Sequence, residues 1–329
     1  MTKKTIIKVK NLSKNFKVYK KPLGMWNSVK SLWHREYSDV NAVNNISFEI
    51  KQGEVIGFIG QNGAGKTTTL KMLSGLIHPT SGEVSILGYN PWNRQAEFQK
   101  QFSLIMAQKN QLWWDLPAVE TFDLNRVIYN IPKDQYTKTL NHLTKLLKIK
   151  DILHIQVRRL SLGQRMKCEL VAALLHRPKI LFLDEPTIGL DVVMQETIRE
   201  FIKKYNEKYN ATIILTSHYM GDVEKLCKRI IVINQGKIVF DGPIKQVIDK
   251  YAKEKRISAV LTKKLNKKDL SRLGKITKYD FPQLEIITPR NEAAKTAAKL
   301  LQAQHIDDLN IQELPIETII QKMFKEQDK

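Results

Sequence analysis

From position 60 the chain reads Gly60-Gln61-Asn62-Gly63-Ala64-Gly65-Lys66-Thr67-Thr68, a glycine-rich run closed by a lysine and two hydroxyl residues. That spacing fits GxxxxGK[ST] and suits one kind of chemistry. The glycines let successive backbone N–H groups converge on one anion, and the positive end of a following helix adds to the attraction. Lys66 supplies a cation that reaches the outer phosphates of a nucleoside triphosphate, and the Thr67 hydroxyl is a hard oxygen ligand for Mg²⁺. The flanks set this run apart from an ordinary glycine-rich turn. An apolar strand over 55–59 precedes it, and the helix-forming Thr68-Thr69-Leu70-Lys71-Met72-Leu73 follows.

A second group of candidates sits on later strand ends. Ile180-Leu181-Phe182-Leu183-Asp184-Glu185-Pro186 is an apolar strand ending in two carboxylates. If it runs parallel to the strand before the phosphate loop, Asp184 holds Mg²⁺ through water, and Glu185 points elsewhere to take a proton from an attacking water. Taken alone, Asp-Glu at a strand end reads as a turn. Its place in a phosphate-loop chain favours the catalytic reading. His218 follows another apolar strand and is placed to donate to a terminal phosphate or orient the water, with a structural histidine as the alternative. Gln108 ends a further strand candidate and offers its amide to metal or water; a surface-loop glutamine is the competing reading. Ser161, in Leu160-Ser161-Leu162-Gly163-Gln164-Arg165, precedes a helix that it or its neighbour caps, and Gly163 permits close backbone approach. One chain needs one phosphate cradle, so this second anion-binding helix start is expected to serve another molecule's nucleotide.

The elements that must position these residues alternate. Strands are expected over 5–9, 46–50, 55–59, 84–87, 103–106, 180–183, 212–215, 229–233 and 237–240, with helices between them, the pattern of an α/β layered domain with a largely parallel sheet. Residues 119–147 carry helical periodicity, with Pro117 and Pro132 at starts or breaks, and form a helical subdomain of about 115–175. An insertion at about 20–40 places Trp26, Val29, Leu32 and Trp33 on one helical face, which packs on the domain or meets a partner or membrane. Past Gly242-Pro243 the texture turns Lys-rich. A boundary near 245 separates a 1–245 domain from a small α+β appendage over 246–329, suggested by strands at 257–261 and 283–288, a helix at 292–302 and the ending 315–324. The Lys263–Lys268 charge cluster reads as a solvated face.

The chain has 329 residues and 54 Lys and Arg against 33 Asp and Glu, a formal charge of +21. An anionic membrane face and a nucleic acid both fit that charge, as does a plain lysine-rich surface. Cys168 and Cys227 have no metal-ligand spacing, which argues against a metal or disulfide framework and fits a reducing compartment. Residues 1–8 lack the pattern of a signal peptide, and no stretch approaches the roughly 18 apolar residues of a spanning helix. Work at a membrane would need another chain to cross it.

In this order, the phosphate loop, Gln108, the Ser161–Gln164 segment, Asp184-Glu185, Gly189-Leu190-Asp191 and His218 resemble the ATP-binding cassette (ABC) ATPases over about residues 5–242. The resemblance implies a phosphate-loop α/β core with an antiparallel β subdomain and a helical subdomain, and ATP and Mg²⁺ as cofactors. Gly60, Asn62, Gly63, Ala64, Gly65, Lys66, Thr67 and Thr68 would bind phosphate, Thr67, Gln108 and Asp184 the metal, and Phe16, with Tyr19 behind it, the adenine. Gln108, Glu185 and His218 would serve hydrolysis. Ser161, Gly163, Gln164 and Asp191 would act across a head-to-tail pair of cassettes, expected to be a homodimer. Leu162 departs from the family pattern, which has glycine there, so its side chain must turn away from the phosphate. The signature and Gln111-Leu112-Trp113-Trp114-Asp115-Leu116-Pro117 are similar to an exporter branch of daunorubicin and viologen type. That branch implies separate permease subunits, expected to dock near Gln108 and the helical subdomain at the cytoplasmic membrane face, and no specific nucleic acid; Trp113 and Trp114 are candidates for that surface, with burial in the helical subdomain as the alternative. A soluble cassette acting on nucleic acid or ribosomes, and an importer's ATPase, are the rival readings.

Overall fold

The computed structural model describes residues 4–19, 37–106, 110–264, 274–302 and 305–327. These form two compact units that part between Gly242 and Pro243. The Trp26–Trp33 stripe and Gln108 lie outside the described residues.

In the first unit, β1 (Thr5–Tyr19) and β2 (Tyr37–Lys51) are long antiparallel strands, with β4 (Ser81–Ile86) on the other side of β1. They are longer than the expected 5–9 and 46–50, and residues 37–40, assigned from the sequence to an insertion, belong to β2. The reason is bulging. Register shifts between Val9 and Leu12 and between Leu12 and Lys14, with left-handed Asn11 and Asn45, break the period-2 alternation by which a strand is recognised.

The second sheet carries the site. Its order is β5 (Phe102–Met106), β6 (Ile180–Asp184), β7 (Thr212–Thr216), β3 (Val55–Ile59), β8 (Arg229–Asn234), β9 (Lys237–Pro243). β3 runs parallel to β7 and β8, and β6 runs parallel to β5 and β7. Every residue of β6 and β7 is buried, as continuous apolar runs covered on both faces require. Parallel strands bring their carboxyl ends to one edge, where open α/β sheets bind ligands. Here that edge gathers the loop after β3, Met106, Asp184 and Thr216. A core of Ile7, Val9, Ile46, Phe48, Phe58, Leu73, Ile86 and Phe182 joins the antiparallel sheet to the parallel one.

Helix α1 (Lys66–Leu73) follows the phosphate loop, and short α2 (Ala96–Gln99) precedes β5. The helical subdomain consists of α3 (Ala118–Ile128), α4 (Lys133–Leu147) and α5 (Leu162–Leu174). Pro117 and Pro132 stand immediately before α3 and α4, where a missing N–H costs nothing. Helices α6 (Val192–Tyr209) and α7 (Met220–Leu226) flank β7.

The second unit starts with α8 (Ile244–Tyr251) and builds a fully antiparallel sheet in the order β11 (Lys275–Asp280), β12 (Gln283–Pro289), β10 (Glu254–Leu261), β13 (Ile306–Glu313). One face packs Ile257, Ala259, Leu261, Leu284 and Ile286 against Ala297 and Leu300 of α9 (Ala293–Gln302); α10 (Ile316–Gln327) closes the chain. The sequence shows the two central strands but not β11 and β13. Both are edge strands, largely exposed, so nothing selects apolar alternation along them.

Candidate active site

The phosphate loop closes against β2. Gly65 has φ 106°, and a Cβ there would lie 2.4 Å from Ala42 O, so only glycine fits. No side chain caps α1, and its first turn carries no acid. Its leading N–H groups therefore face the cavity for an anion. The Lys66 ammonium, almost fully buried, donates to Gly60 O at 2.8 Å and Gln61 O at 3.1 Å. Burial lowers its pKa, against the pull of Glu185 and Asp184.

Asp184 ends β6 in register with Thr216 at the end of β7. Its carboxylate accepts from the Thr67 hydroxyl, at 3.1 Å to Oδ1 and 2.9 Å to Oδ2, and from the Thr216 hydroxyl at 2.7 Å. Glu185 turns out of the strand with φ 58°, a left-handed conformation uncommon for a residue with a side chain. Its N–H donates to both Thr216 O and Thr216 Oγ1, each at 3.1 Å. Its Oε2 accepts from His218 N at 3.1 Å, and His218 Nε2 lies 3.1 Å from Oε1 without hydrogen-bond alignment. Burial, and to a lesser degree Asp184, raises the Glu185 pKa, while His218 and Lys66 oppose the rise. Thr216 thus holds the Asp184 carboxylate and the Glu185 backbone in place, a role invisible in the sequence because it depends on which strand lies beside β6.

A cavity of about 410 Å³ is lined by the loop from Asn62 to Thr68 together with Asp184, Glu185, His218, Lys71, Met106 and Ile188. Lys71 was not singled out in the sequence; it follows Lys66 by just over a helical turn and adds a second cation. Phosphate-loop donors, a carboxylate and hydroxyl pair, a part-buried glutamate and a histidine thus meet in one cleft.

Other expected residues stand apart from that cavity. Phe16 is part-buried on β1 with the Lys14 ammonium 5.1 Å from its ring centroid, and it does not line the cleft. Ser161 caps α5 in a reciprocal box: Gln164 N donates to Ser161 Oγ at 3.2 Å, and Ser161 N donates to Gln164 Oε1 at 3.0 Å. Gly163 packs under Met194, whose Cε would lie 2.8 Å from an added Cβ. Asp191 caps α6 by accepting from Met194 N at 2.9 Å. Leu162 leans towards Gly189, where an added Cβ would sit 3.1 Å from Leu162 Cδ2.

Residues 43–188 match the model of the ABC transporter family, and residues 253–312 match that of the C-terminal domain of EvrA-like ABC transporters. The ABC transporter ATP-binding protein NatA of Bacillus subtilis is 31% identical over 64% of this chain and 85% of its own length. The chain belongs to the ABC transporter ATP-binding proteins. As an ABC ATPase it is the ATP-binding subunit of a transporter and hydrolyses ATP for transport. The bacitracin transport ATP-binding protein BcrA of Bacillus licheniformis is 34% identical over 63% of this chain and 66% of its own. A solved dimeric ATP-binding cassette in a post-hydrolysis state, bound to ADP and Pi, shares the fold with a TM-score of 0.60 at 23% identity, over 72% of this chain and 98% of that one. No helix among the described residues is long and apolar enough to cross a membrane.

Proposed function

We propose that this ABC ATPase powers an exporter by closing and reopening a pair of cassettes around ATP, with Glu185 as the base that activates water. The observation that carries the reading is the joint contact of Glu185 with His218 and Thr216 at the mouth of the phosphate loop. In this reading the loop amides from Gly60 to Thr68 and Lys66 hold the phosphates, His218 orients the terminal phosphate, and Phe16 is assigned to the adenine. The donor set fits Mg²⁺, since Thr67 and Asp184 offer hard oxygens within reach of each other. Among the described residues no cluster of three or more His, Cys, Asp and Glu could hold a metal ion. Bound by Thr67 and Asp184, the ion would neutralise charge on the phosphates; Gln108 is assigned to the same task.

Ser161, Gly163, Gln164 and Asp191 do not line their own subunit's cleft, which is what a site shared between two copies requires. The dimeric cassette among the solved structures supports that arrangement. An open groove of about 420 Å³ beside β5, α3 and α5 is lined by Leu104, Gln111, Asn125, Ile128 and Tyr129, and Trp113 and Trp114, two and three residues after Gln111, are exposed. Separate permease subunits would dock there, holding the protein at the cytoplasmic membrane face, with 1–245 as the cassette and 246–329 as an accessory domain. The bacitracin relative and the LWWDLP segment favour export, of the daunorubicin or viologen type. The test is Glu185→Gln: retained ATP binding, loss of turnover and a stable dimer are expected, whereas undiminished turnover removes the assignment.

A further inference from the structure

Beneath the loops that carry Glu185 and His218 lies Asp222, a carboxylate with 0% exposure on α7. Its Oδ2 accepts from two hydroxyls, Thr187 at 2.5 Å and Ser217 at 2.6 Å. Its Oδ1 accepts from Arg199 Nε at 2.6 Å. Thr187 stands two residues after Glu185, and Ser217 directly precedes His218. One carboxylate oxygen therefore fastens the exit of β6 to the exit of β7. An ionised carboxylate only accepts, so both hydroxyls must point inward. The lone pairs of Ser217 Oγ remain free to take Tyr219 N at 3.0 Å, which shapes the turn after His218.

The anchor is itself anchored. Arg199 donates from Nη2 to Gln195 Oε1 and from Nη1 to Glu196 Oε2, both at 3.1 Å. Gln195 Nε2 donates to Leu190 O at 3.2 Å, so the loop between Glu185 and α6 is held at Thr187 and again at Leu190. A buried carboxylate needs its remaining lone pairs satisfied as well as a counter-charge, and here Arg199 on Oδ1 and the Thr187 and Ser217 hydroxyls on Oδ2 together supply them. The two hydroxyls add fixed geometry between the catalytic loops.

We propose that Asp222 is a positioning residue for hydrolysis, setting the separation of Glu185 from His218 by holding Thr187 and Ser217 on one oxygen. The inference rests on the roles given above to Glu185 and His218. It is tested by steady-state ATP hydrolysis and ATP-analogue binding with the full chain carrying Thr187→Val, Thr187→Ser or Ser217→Ala, each checked by thermal melting. Thr187→Val is expected to lower kcat about tenfold or more with KM for ATP changed by less than about twofold, because small displacements of a reacting pair cost rate far more than binding. Thr187→Ser keeps the donor and is expected to restore the rate. A folded Thr187→Val enzyme with wild-type kcat, or a Thr187→Ser enzyme as slow as Thr187→Val, overturns the proposal. Should Thr187→Val fail to fold, Ser217→Ala carries the same expectations and the same refutation. Glu185→Gln separates the two levels: if it still hydrolyses ATP, the catalytic assignment falls, and if it is inert beside a fully active Thr187→Val, only the positioning role does.

Discussion

The hydroxyl of Thr67 and the carboxylate of Asp184, 117 positions apart in the chain, meet at 2.9 Å and 3.1 Å. A loop residue and a strand end are thereby joined at the point where phosphate oxygens and a divalent cation are expected. Thr67→Ala removes one hard ligand and leaves Asp184 with the Thr216 contact alone. We expect turnover to fall by about 10–100-fold and the Mg²⁺ concentration for half-maximal rate to rise, as metal-site partners usually cost when removed. A Mg²⁺ titration of ATPase activity with an unchanged half-maximum would contradict this.

Lys66 donates to two loop carbonyls, Gly60 O and Gln61 O. Its ammonium is thus near its working position, and Lys66→Ala loses both the phosphate contact and the internal tie of the loop. We expect turnover to drop below detection, with ATP affinity measured by calorimetry weakened at least about tenfold.

The raised pKa of Glu185 gives a pH signature. The residue accepts a proton only when ionised, so kcat is expected to fall as pH drops through a value above the ordinary carboxylate pKa of about 4.3. The stability sign follows from the same shift: ionising this part-buried acid costs the fold, so the deficit grows as pH rises through the raised pKa and is absent below the unfolded one. Glu185→Gln should therefore melt higher than wild type at neutral pH and equal to it in acid. Melting curves across pH, with a constant difference throughout, would reject the cause.

Trp113 and Trp114 are 56% and 46% exposed, and Arg165 stacks 5.2 Å from the Trp114 ring. If they are permease anchors, Trp113→Ala with Trp114→Ala leaves ATP hydrolysis by the isolated chain intact. Recovery with the membrane fraction is expected to fall sharply, since buried aromatic anchors contribute about 2 kcal/mol or more each. Equal recovery of variant and wild type counts against the docking site.

Gly163 owes part of its identity to its own subunit. An added methyl meets Met194 Cε at 2.8 Å and Cγ at 2.9 Å. Gly163→Ala is expected to lower stability by about 1–3 kcal/mol, as overpacking does, and Met194→Ala to recover much of it. Denaturant melts of the single and double variants test the coupling.

The parts of the site that were legible in the sequence are those made locally. The phosphate loop, the apolar strand ending in Asp184 and the Ser161 cap each announce themselves within ten residues, because turn, strand and cap chemistry act over that range. Thr216 could not be read, since its importance comes from pairing opposite Asp184 in a parallel sheet. Nor could the reach of the first hairpin, where bulges near Asn11 and Asn45 hide the alternation. Lys275 and Asp308 sit on edge strands whose polar faces resemble loops in one dimension.

Leu162 and Gly189 carry an evolutionary corollary. Leucine at 162 occupies the space a side chain at 189 would need, and the φ of 73° at 189 closes the same door from the backbone. The two sites form a single mutational locus. Shrinking residue 162 would relieve only the contact, and the backbone strain at 189 would still favour glycine there.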